Sequence, residues 1–210
     1  MANNVYVTGH HRAGTHSFAE KKSSDTSLLY IEEGRIGFND MNVVAKLQEG
    51  KLPTDNKNGG KDFIPDARLN NGFVLQCPYL AHEVQKLALE GTVYWCVRDF
   101  YKTLYALKLM NFGYSAWEVV KGFYKVFPDD PIWAKITYDG RDDILCNFVG
   151  YFIIMLKVKE YFYDKYFKSI TTLVKLEEQT YYDSKQPVVT FKKHETKSID
   201  KHLNEWEKIK

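Results

Sequence analysis

The chain has 210 residues, 29 Lys and Arg against 27 Asp and Glu, a formal net charge of +2, and 15% aromatic residues. This composition excludes a disordered chain, and the length suits one sizeable core. The charge balance lacks the basic excess of domains that depend on nucleic-acid phosphates. We therefore expect a single globular domain over residues 1–210.

Cysteine spacing and hydropathy predict the cellular compartment of the protein. Cys77, Cys96 and Cys146 lie far apart among apolar neighbours, and no pair has the spacing of zinc ligands, so no metal site is predicted. The amino terminus lacks the features of a signal peptide, and the most apolar run, 148–156, is too short to cross a bilayer. These features predict a cytoplasmic protein with free thiols and no membrane partner.

Strand and helix patterns alternate along the chain. Runs of β-branched and aromatic residues predict strands at 5–8, 27–32, 73–76, 92–97 and 171–176. Helical patterns lie at 15–24, from a cap at Asn39 or Asp40 to Gln48, and at 79–89, 100–111, 115–127, 142–167 and 199–209. The alternation predicts an α/β three-layer P-loop fold, a mostly parallel sheet with helices on both faces.

The stretch 51–72 is rich in Gly, Asn and Pro and is predicted to be a long loop. Loops of this length inside a compact domain are commonly functional. We interpret it either as a lid or substrate loop, or as a plain surface insertion.

The segment from Gly9 to Ser17 follows the first strand and opens the first helix. Gly9 and Gly14 let the main chain approach a ligand closely, and the helix N-terminus favours an anion there. Arg12 carries a guanidinium that pairs with phosphate or sulfate. The predicted binding residues for a donor's anionic groups are Gly9, His11, Arg12, Ala13, Gly14, Thr15, His16 and Ser17.

The glycine spacing is that of a Walker A loop, but Thr15 and His16 stand where that motif has Lys and Ser or Thr. An ordinary glycine-rich turn between strand and helix is the alternative interpretation. Three histidines, His10, His11 and His16, crowd the segment, and we expect a structural role for at least one of them.

Gly9 with Arg12-Ala13-Gly14-Thr15-His16 resembles the phosphosulfate-binding loop of the sulfotransferase family. Further segments follow in that family's order. They are FVLQCP at 73–78, similar to its strand ending in Lys-Thr/Ser-His, YWCVRDF at 94–100, similar to Tyr-x-Val-Arg-Asp/Asn-Pro, LVKLEE at 173–178, similar to Val-Arg-Tyr-Glu-Asp-Leu, and loosely NEW at 204–206. The resemblance implies 3′-phosphoadenosine 5′-phosphosulfate as donor, with Arg98 on its 3′-phosphate. An ion pair between Arg98 and Asp99 is the alternative role.

Departures from the family pattern affect its catalytic positions. Pro78 lies where the catalytic histidine is expected, Ala106 where a serine assists the arginine, and Phe100 where a proline follows it. His82, one helical turn further on, and Glu20 on the first helix are therefore the candidate general bases. Each is otherwise a solvated helix residue.

Three functions fit these patterns. The first is a P-loop transferase resembling sulfotransferases, which moves a sulfuryl or phosphoryl group from a nucleotide donor to a hydroxyl on a small molecule, nucleotide or DNA base. The second is a kinase using ATP with Mg²⁺ on a nucleoside, nucleotide or modified DNA base, as in bacteriophage enzymes. The missing catalytic His and Ser favour it, whereas the missing Walker Lys disfavours it unless Arg12 takes that role. The third is a non-catalytic nucleotide-binding module.

Overall fold

The computed structural model describes residues 3–32, 41–54, 62–110, 113–136, 149–179 and 189–208. The chain divides into two compact units, Met1–Val97 with Phe167–Val174 and Arg98–Tyr166 with Lys175–Lys210. The single domain expected over 1–210 stays a prediction. Among the described helices, none combines the length and the apolar character that crossing a bilayer requires.

Helices flank a five-stranded, all-parallel sheet, so the expected three-layer α/β fold is confirmed. The strands, with the helices that lie between the first and the sixth of them, are β1 (Val5–Gly9), α1 (Thr15–Thr26), β2 (Leu29–Glu32), α2 (Met41–Gln48), β3 (Lys51–Pro53), β4 (Phe63–Pro65), β5 (Phe73–Gln76), α3 (Val84–Glu90), β6 (Thr92–Val97) and β7 (Thr172–Lys175). The strand order in the five-stranded sheet is β2-β5-β1-β6-β7.

The central strand β1 is buried along its whole length, as its apolar sequence requires in a parallel sheet. Val5 pairs with Val74 on one side and with Thr92 on the other. Tyr6 has no exposed surface, and burial raises the pKa of its hydroxyl to about 12. Gln48 of α2 donates a hydrogen bond to that hydroxyl at 3.1 Å. The strand therefore gives the following loop a rigid starting point.

The expectation of a continuous loop over 51–72 is wrong for its described part. Lys51–Pro53 and Phe63–Pro65 form an antiparallel hairpin, and a 3₁₀-helix covers Ala67–Asn71. Pro53 and Pro65 are tolerated because a two-stranded sheet has no central strand whose N–H groups must all be paired. Residues 55–61 lie outside the described residues, and the lid or substrate role stays a prediction.

Several predicted boundaries also change. The helix expected over 79–89 is a 3₁₀-helix over Pro78–Glu83 followed by α3, because Leu80 has non-helical backbone angles, φ −84° and ψ 16°. The second strand begins at Leu29 rather than Ser27, since Ser27 adopts a left-handed conformation at the end of α1. The predicted cap at Asn39 or Asp40 lies outside the described residues.

The second unit is helical. Its elements are α4 (Phe100–Leu109), α5 (Gly113–Val126), α6 (Val149–Phe162) and α7 (Lys193–Glu207). α6 contacts the other three helices and is buried almost all round. The long helix expected over 142–167 changes to a π-helical turn after Phe162, and its first residues lie outside the described part. α7 begins at Lys193, before the predicted start at Ile199. The Glu195 carboxylate accepts a hydrogen bond from the Lys192 main-chain N–H and so stabilises this end of the helix.

A buried carboxylate organises part of the second unit. Asp130, whose side chain is 1% exposed, accepts hydrogen bonds from Lys165 at 2.8 Å and from the Tyr161 and Tyr166 hydroxyls at 2.9 Å. It also accepts the main-chain N–H of Ile132 at 3.1 Å. These donors satisfy the charge that burial would otherwise penalise.

Candidate functional site

The loop that was predicted to bind anions joins the carboxyl end of β1 to the N-terminus of α1. Gly9 has φ +115° and lies opposite Cys96 of β6. A Cβ atom at Gly9 would overlap the main chain of Cys96, so only glycine fits. The next residue, His10, donates its main-chain N–H to the Cys96 carbonyl at 2.9 Å. The loop therefore starts against the end of β6.

The loop ends with main-chain N–H groups directed along the axis of α1. The first bond of the α1 ladder runs from the Phe18 N–H to the Gly14 carbonyl at 3.0 Å. The N–H groups of 14–17 precede it and have no acceptor within the helix. In the described part of the chain no side chain caps this end, and the first turn contains no acidic residue. An oxyanion placed there meets N–H donors and the positive end of the helix dipole.

Two left-handed residues shape the approach to α1. Arg12 has φ +63° and Gly14 has φ +76°. For a residue with a side chain this conformation is uncommon and costs about 1 kcal/mol or more. Arg12 is exposed, whereas its neighbour Ala13 is 1% exposed. The main chain thus holds the one guanidinium of the loop at the surface beside the helix terminus.

His10 and His11 differ from Arg12 because both are buried, at 4% and 5% exposure. The His10 ring packs edge-on against Trp95 at 6.5 Å, and the His11 ring packs against Tyr79 at 4.5 Å. The expected structural role fits these packing contacts. A role for the His11 side chain in donor binding stays a prediction.

Hydroxyl groups anchor the loop to the end of β5. The Thr8 hydroxyl donates to the Cys77 carbonyl at 3.0 Å, and the Gln76 amide donates to the Thr15 hydroxyl at 3.1 Å. Thr15 is 4% exposed and stands where a Walker loop has its lysine. A buried hydroxyl held by Gln76 supplies no charge to a phosphate, so Arg12 is the cation that this loop offers.

His16 lies in the first turn of α1, and its ring contacts two other elements. The Tyr30 hydroxyl of β2 lies 2.7 Å from His16 Nδ1, and the two rings meet edge-on at 5.7 Å. A Glu20 carboxylate oxygen lies 3.3 Å from Nε2, and a Glu32 oxygen lies 3.6 Å from Nδ1. The structure therefore brings two predicted residues, His16 and Glu20, together with two that sequence reasoning missed.

The missed residues carried a usable signal. Tyr30 and Glu32 are two apart on β2, so their side chains lie on the same face of the sheet, next to its carboxyl edge. Each nitrogen of His16 faces a different carboxylate, so these groups do not converge on one point. Among the residues described, no cluster of three or more His, Cys, Asp or Glu side chains is arranged to hold a metal ion.

The other predicted residues lie elsewhere. His82 is half-buried in the 3₁₀-helix Pro78–Glu83. Arg98 directly follows the last residue of β6 and begins the second unit. The Asp99 carboxylate accepts the main-chain N–H of Lys102 at 2.9 Å and so caps α4, while the Asp99 N–H donates to Glu177 at 3.0 Å. Asp99 thus has a structural role as the N-cap of α4.

The two described cysteines are buried close to the loop. Cys77 follows β5 and Cys96 lies on β6, each with 1% exposure, and both are free thiols. Burial raises the pKa of the Cys96 thiol far above its usual value, which keeps it protonated and unreactive. Cys146 lies outside the described residues.

Comparison with protein-family models, with curated proteins and with solved structures finds no match to this chain.

Proposed function

We propose that this chain is a P-loop transferase resembling sulfotransferases, which moves a sulfuryl or phosphoryl group from a nucleotide donor to an acceptor hydroxyl. One observation carries the proposal. The loop Gly9–Ser17 leaves the central parallel strand and presents the uncapped N-terminus of α1 beside the exposed Arg12. Backbone N–H groups with a neighbouring guanidinium are a common protein solution for binding phosphate and sulfate esters.

The strand order supports a binding site at the carboxyl edge of the sheet, where the loop Gly9–Ser17 begins. From β1 the chain continues to β2 on one side of the sheet, whereas from β6 it continues to β7 on the other. In parallel α/β sheets, ligands bind outside the carboxyl ends of two adjacent strands whose connections diverge in this way. The loop begins there, held to β6 through Gly9 and His10.

In this proposal the chemistry depends on charge stabilisation. The N–H groups of 14–17 and the Arg12 guanidinium stabilise negative charge on the transferred group as its bond to the nucleotide breaks. Glu20 and His82 are the candidate acceptors for the proton of the attacking hydroxyl. Glu20 contacts the loop residue His16.

A kinase that uses ATP with Mg²⁺ is the second candidate. The observation that favours it is an exposed carboxylate beside the loop, either Glu20 or Glu32, each of which contacts His16. Mg²⁺ in phosphoryl-transfer sites is held by one or two carboxylates together with the substrate's phosphates. ATP bound with Mg²⁺ would require such a carboxylate, whereas 3′-phosphoadenosine 5′-phosphosulfate, which needs no metal ion, would not.

Thermal unfolding with added nucleotides tests the proposal. We expect 3′-phosphoadenosine 5′-phosphate, or ATP and ADP with Mg²⁺, to raise the melting temperature by roughly 5–10 °C at about a hundred times the dissociation constant. A shift that needs Mg²⁺ selects the kinase. A donor-dependent shift without transfer to any acceptor selects the non-catalytic module.

Arg12→Ala is the decisive variant, and we expect it to lose most of the shift. Arg68→Ala is its matched control, because Arg68 is an exposed arginine of the same unit that pairs with Asp66 in the 3₁₀-helix after β4. The proposal fails if no nucleotide shifts the melting temperature, or if both variants shift as the native chain does.

A further inference from the structure

The contacts of His16 form an ordered chain of three groups. The Glu20 carboxylate lies 3.3 Å from one ring nitrogen, and the Tyr30 hydroxyl lies 2.7 Å from the other. When Nε2 carries its proton toward Glu20, Nδ1 presents a lone pair to the Tyr30 O–H. Carboxylate, imidazole and hydroxyl in this order are the arrangement by which proteins activate a hydroxyl nucleophile.

A second carboxylate contacts the same ring. Glu20 lies beside Nε2, and a Glu32 oxygen lies 3.6 Å from Nδ1, the nitrogen that contacts Tyr30. If His16 takes the Tyr30 proton on Nδ1, the phenolate keeps a hydrogen bond from that nitrogen.

The same hydroxyl is hydrogen-bonded to a residue of the proposed donor loop. His16 contributes its main-chain N–H to the N-terminus of α1 and its side chain to Tyr30. β2 and β1 are parallel strands of one sheet, so the loop and the end of β2 share the carboxyl edge. Group transfer requires proximity, and this hydrogen bond ties the nucleophile to the loop that would hold the donor.

We propose that Tyr30 is itself an acceptor, so that the chain modifies its own phenolic hydroxyl; this rests on the proposed function for the donor. His16 Nδ1 takes the Tyr30 proton, and the Tyr30 oxygen forms a bond to the phosphorus or sulfur of the transferred group. The bond from that atom to the bridging oxygen of the nucleotide breaks, and the nucleotide leaves with the electron pair. The products are a tyrosine phosphate or sulfate ester and the shortened nucleotide.

The experiment incubates the full chain with 3′-phosphoadenosine 5′-phosphosulfate or with ATP and Mg²⁺ and follows intact and peptide mass. We expect one phosphoryl or sulfuryl group on the peptide containing Tyr30. Tyr30→Phe should lose it entirely, and His16→Asn should slow it about a hundredfold, as expected for loss of a general base. Tyr101→Phe is the matched control, because Tyr101 is an exposed tyrosine, 47% accessible, on α4, and it should retain the modification.

A second measurement tests hydroxyl activation without any nucleotide. An aryl sulfonyl fluoride should label Tyr30 faster than Tyr101, and His16→Asn should remove the difference. Tyr30 lies on β2, outside the loop, and Tyr30→Phe keeps the main-chain N–H groups, so its nucleotide-induced melting shift should match the native chain.

The outcomes separate the two proposals. A normal nucleotide shift with no mass gain on Tyr30 overturns this inference and leaves the proposed function standing. Modification of another residue, or an unchanged rate in His16→Asn, also overturns it. If no nucleotide shifts the melting temperature, the proposed function fails and the acceptor role of Tyr30 fails with it.

Discussion

Gly9 on β1 lies so close to Cys96 on β6 that no side-chain atom fits between them. A Cβ at Gly9 would stand 2.6 Å from the Cys96 nitrogen and closer still to its carbonyl oxygen. Both atoms belong to the central sheet, whose spacing is fixed by hydrogen bonds. The carboxyl edge of the sheet therefore has no room to adjust at this point.

Gly9→Ala is expected to lower the free energy of unfolding by at least about 3 kcal/mol, because it adds backbone strain at φ +115° to a main-chain overlap. Gly50→Ala is the control. Gly50 also has positive φ, +74°, but the nearest atom to its Cβ is the Asn70 side-chain oxygen at 3.5 Å. We expect it to lose only about 1 kcal/mol. Equal losses in urea unfolding would contradict the packing argument.

The hydrogen bond from Gln76, at the end of β5, to Thr15 is expected to stabilise the loop. Thr15→Val keeps the shape of the side chain and removes the acceptor at 3.1 Å, which should cost roughly 1–3 kcal/mol since both groups are buried. Gln76→Leu and the double variant complete a double-mutant cycle. We expect a coupling energy of about 1 kcal/mol, and a value near zero would show that the two groups act independently.

Asp130 should make the free energy of unfolding depend on pH in the acid range. Burial would raise its pKa, but hydrogen bonds from Lys165, the Ile132 N–H, Tyr161 and Tyr166 outweigh it and hold the pKa below its usual range. A carboxyl with a lower pKa in the folded state stabilises the fold above the unfolded value, about 4, and loses that contribution as pH falls through the folded pKa.

The test compares Asp130→Asn with the native chain at pH 7 and pH 3. We expect the variant to lose roughly 1–3 kcal/mol at pH 7, because it removes a buried charge that accepts four hydrogen bonds, and clearly less at pH 3. Asp129→Asn, at the exposed neighbouring position, serves as control and should change little at either pH. The same loss at both pH values would show that the Asp130 charge makes no contribution.

The strands were predictable because their sequences satisfy local and global requirements together. β1, β5 and β6 are short apolar runs that end at glycine, proline or polar residues, and buried parallel strands need that pattern. The hairpin at 51–65 was missed because its pairing joins Leu52 to Ile64 across a segment of turn-forming residues. Its short strands carry no alternation long enough to detect.

The site divides in the same way. The position of the Gly9–Ser17 loop between β1 and α1 was predictable, since consecutive residues carry its signals, with glycines at two positions of positive φ, Gly9 and Gly14. The contact between His16 and Tyr30 was not, because it joins residues 14 positions apart through the packing of α1 on the sheet. The burial of Thr15 against Gln76 likewise depends on how closely α1 approaches β5.

Val7 of β1 pairs with both β5 and β6, and Gly9 pairs with β6, so the end of β1 exchanges hydrogen-bond partners only when the sheet opens there. The loop Gly9–Ser17 is therefore attached to the sheet at a rigid point, before any ligand binds. Under the proposed function, binding costs little conformational entropy at this end of the loop, and we expect the affinity for an oxyanion to depend mainly on the charges that the ligand brings.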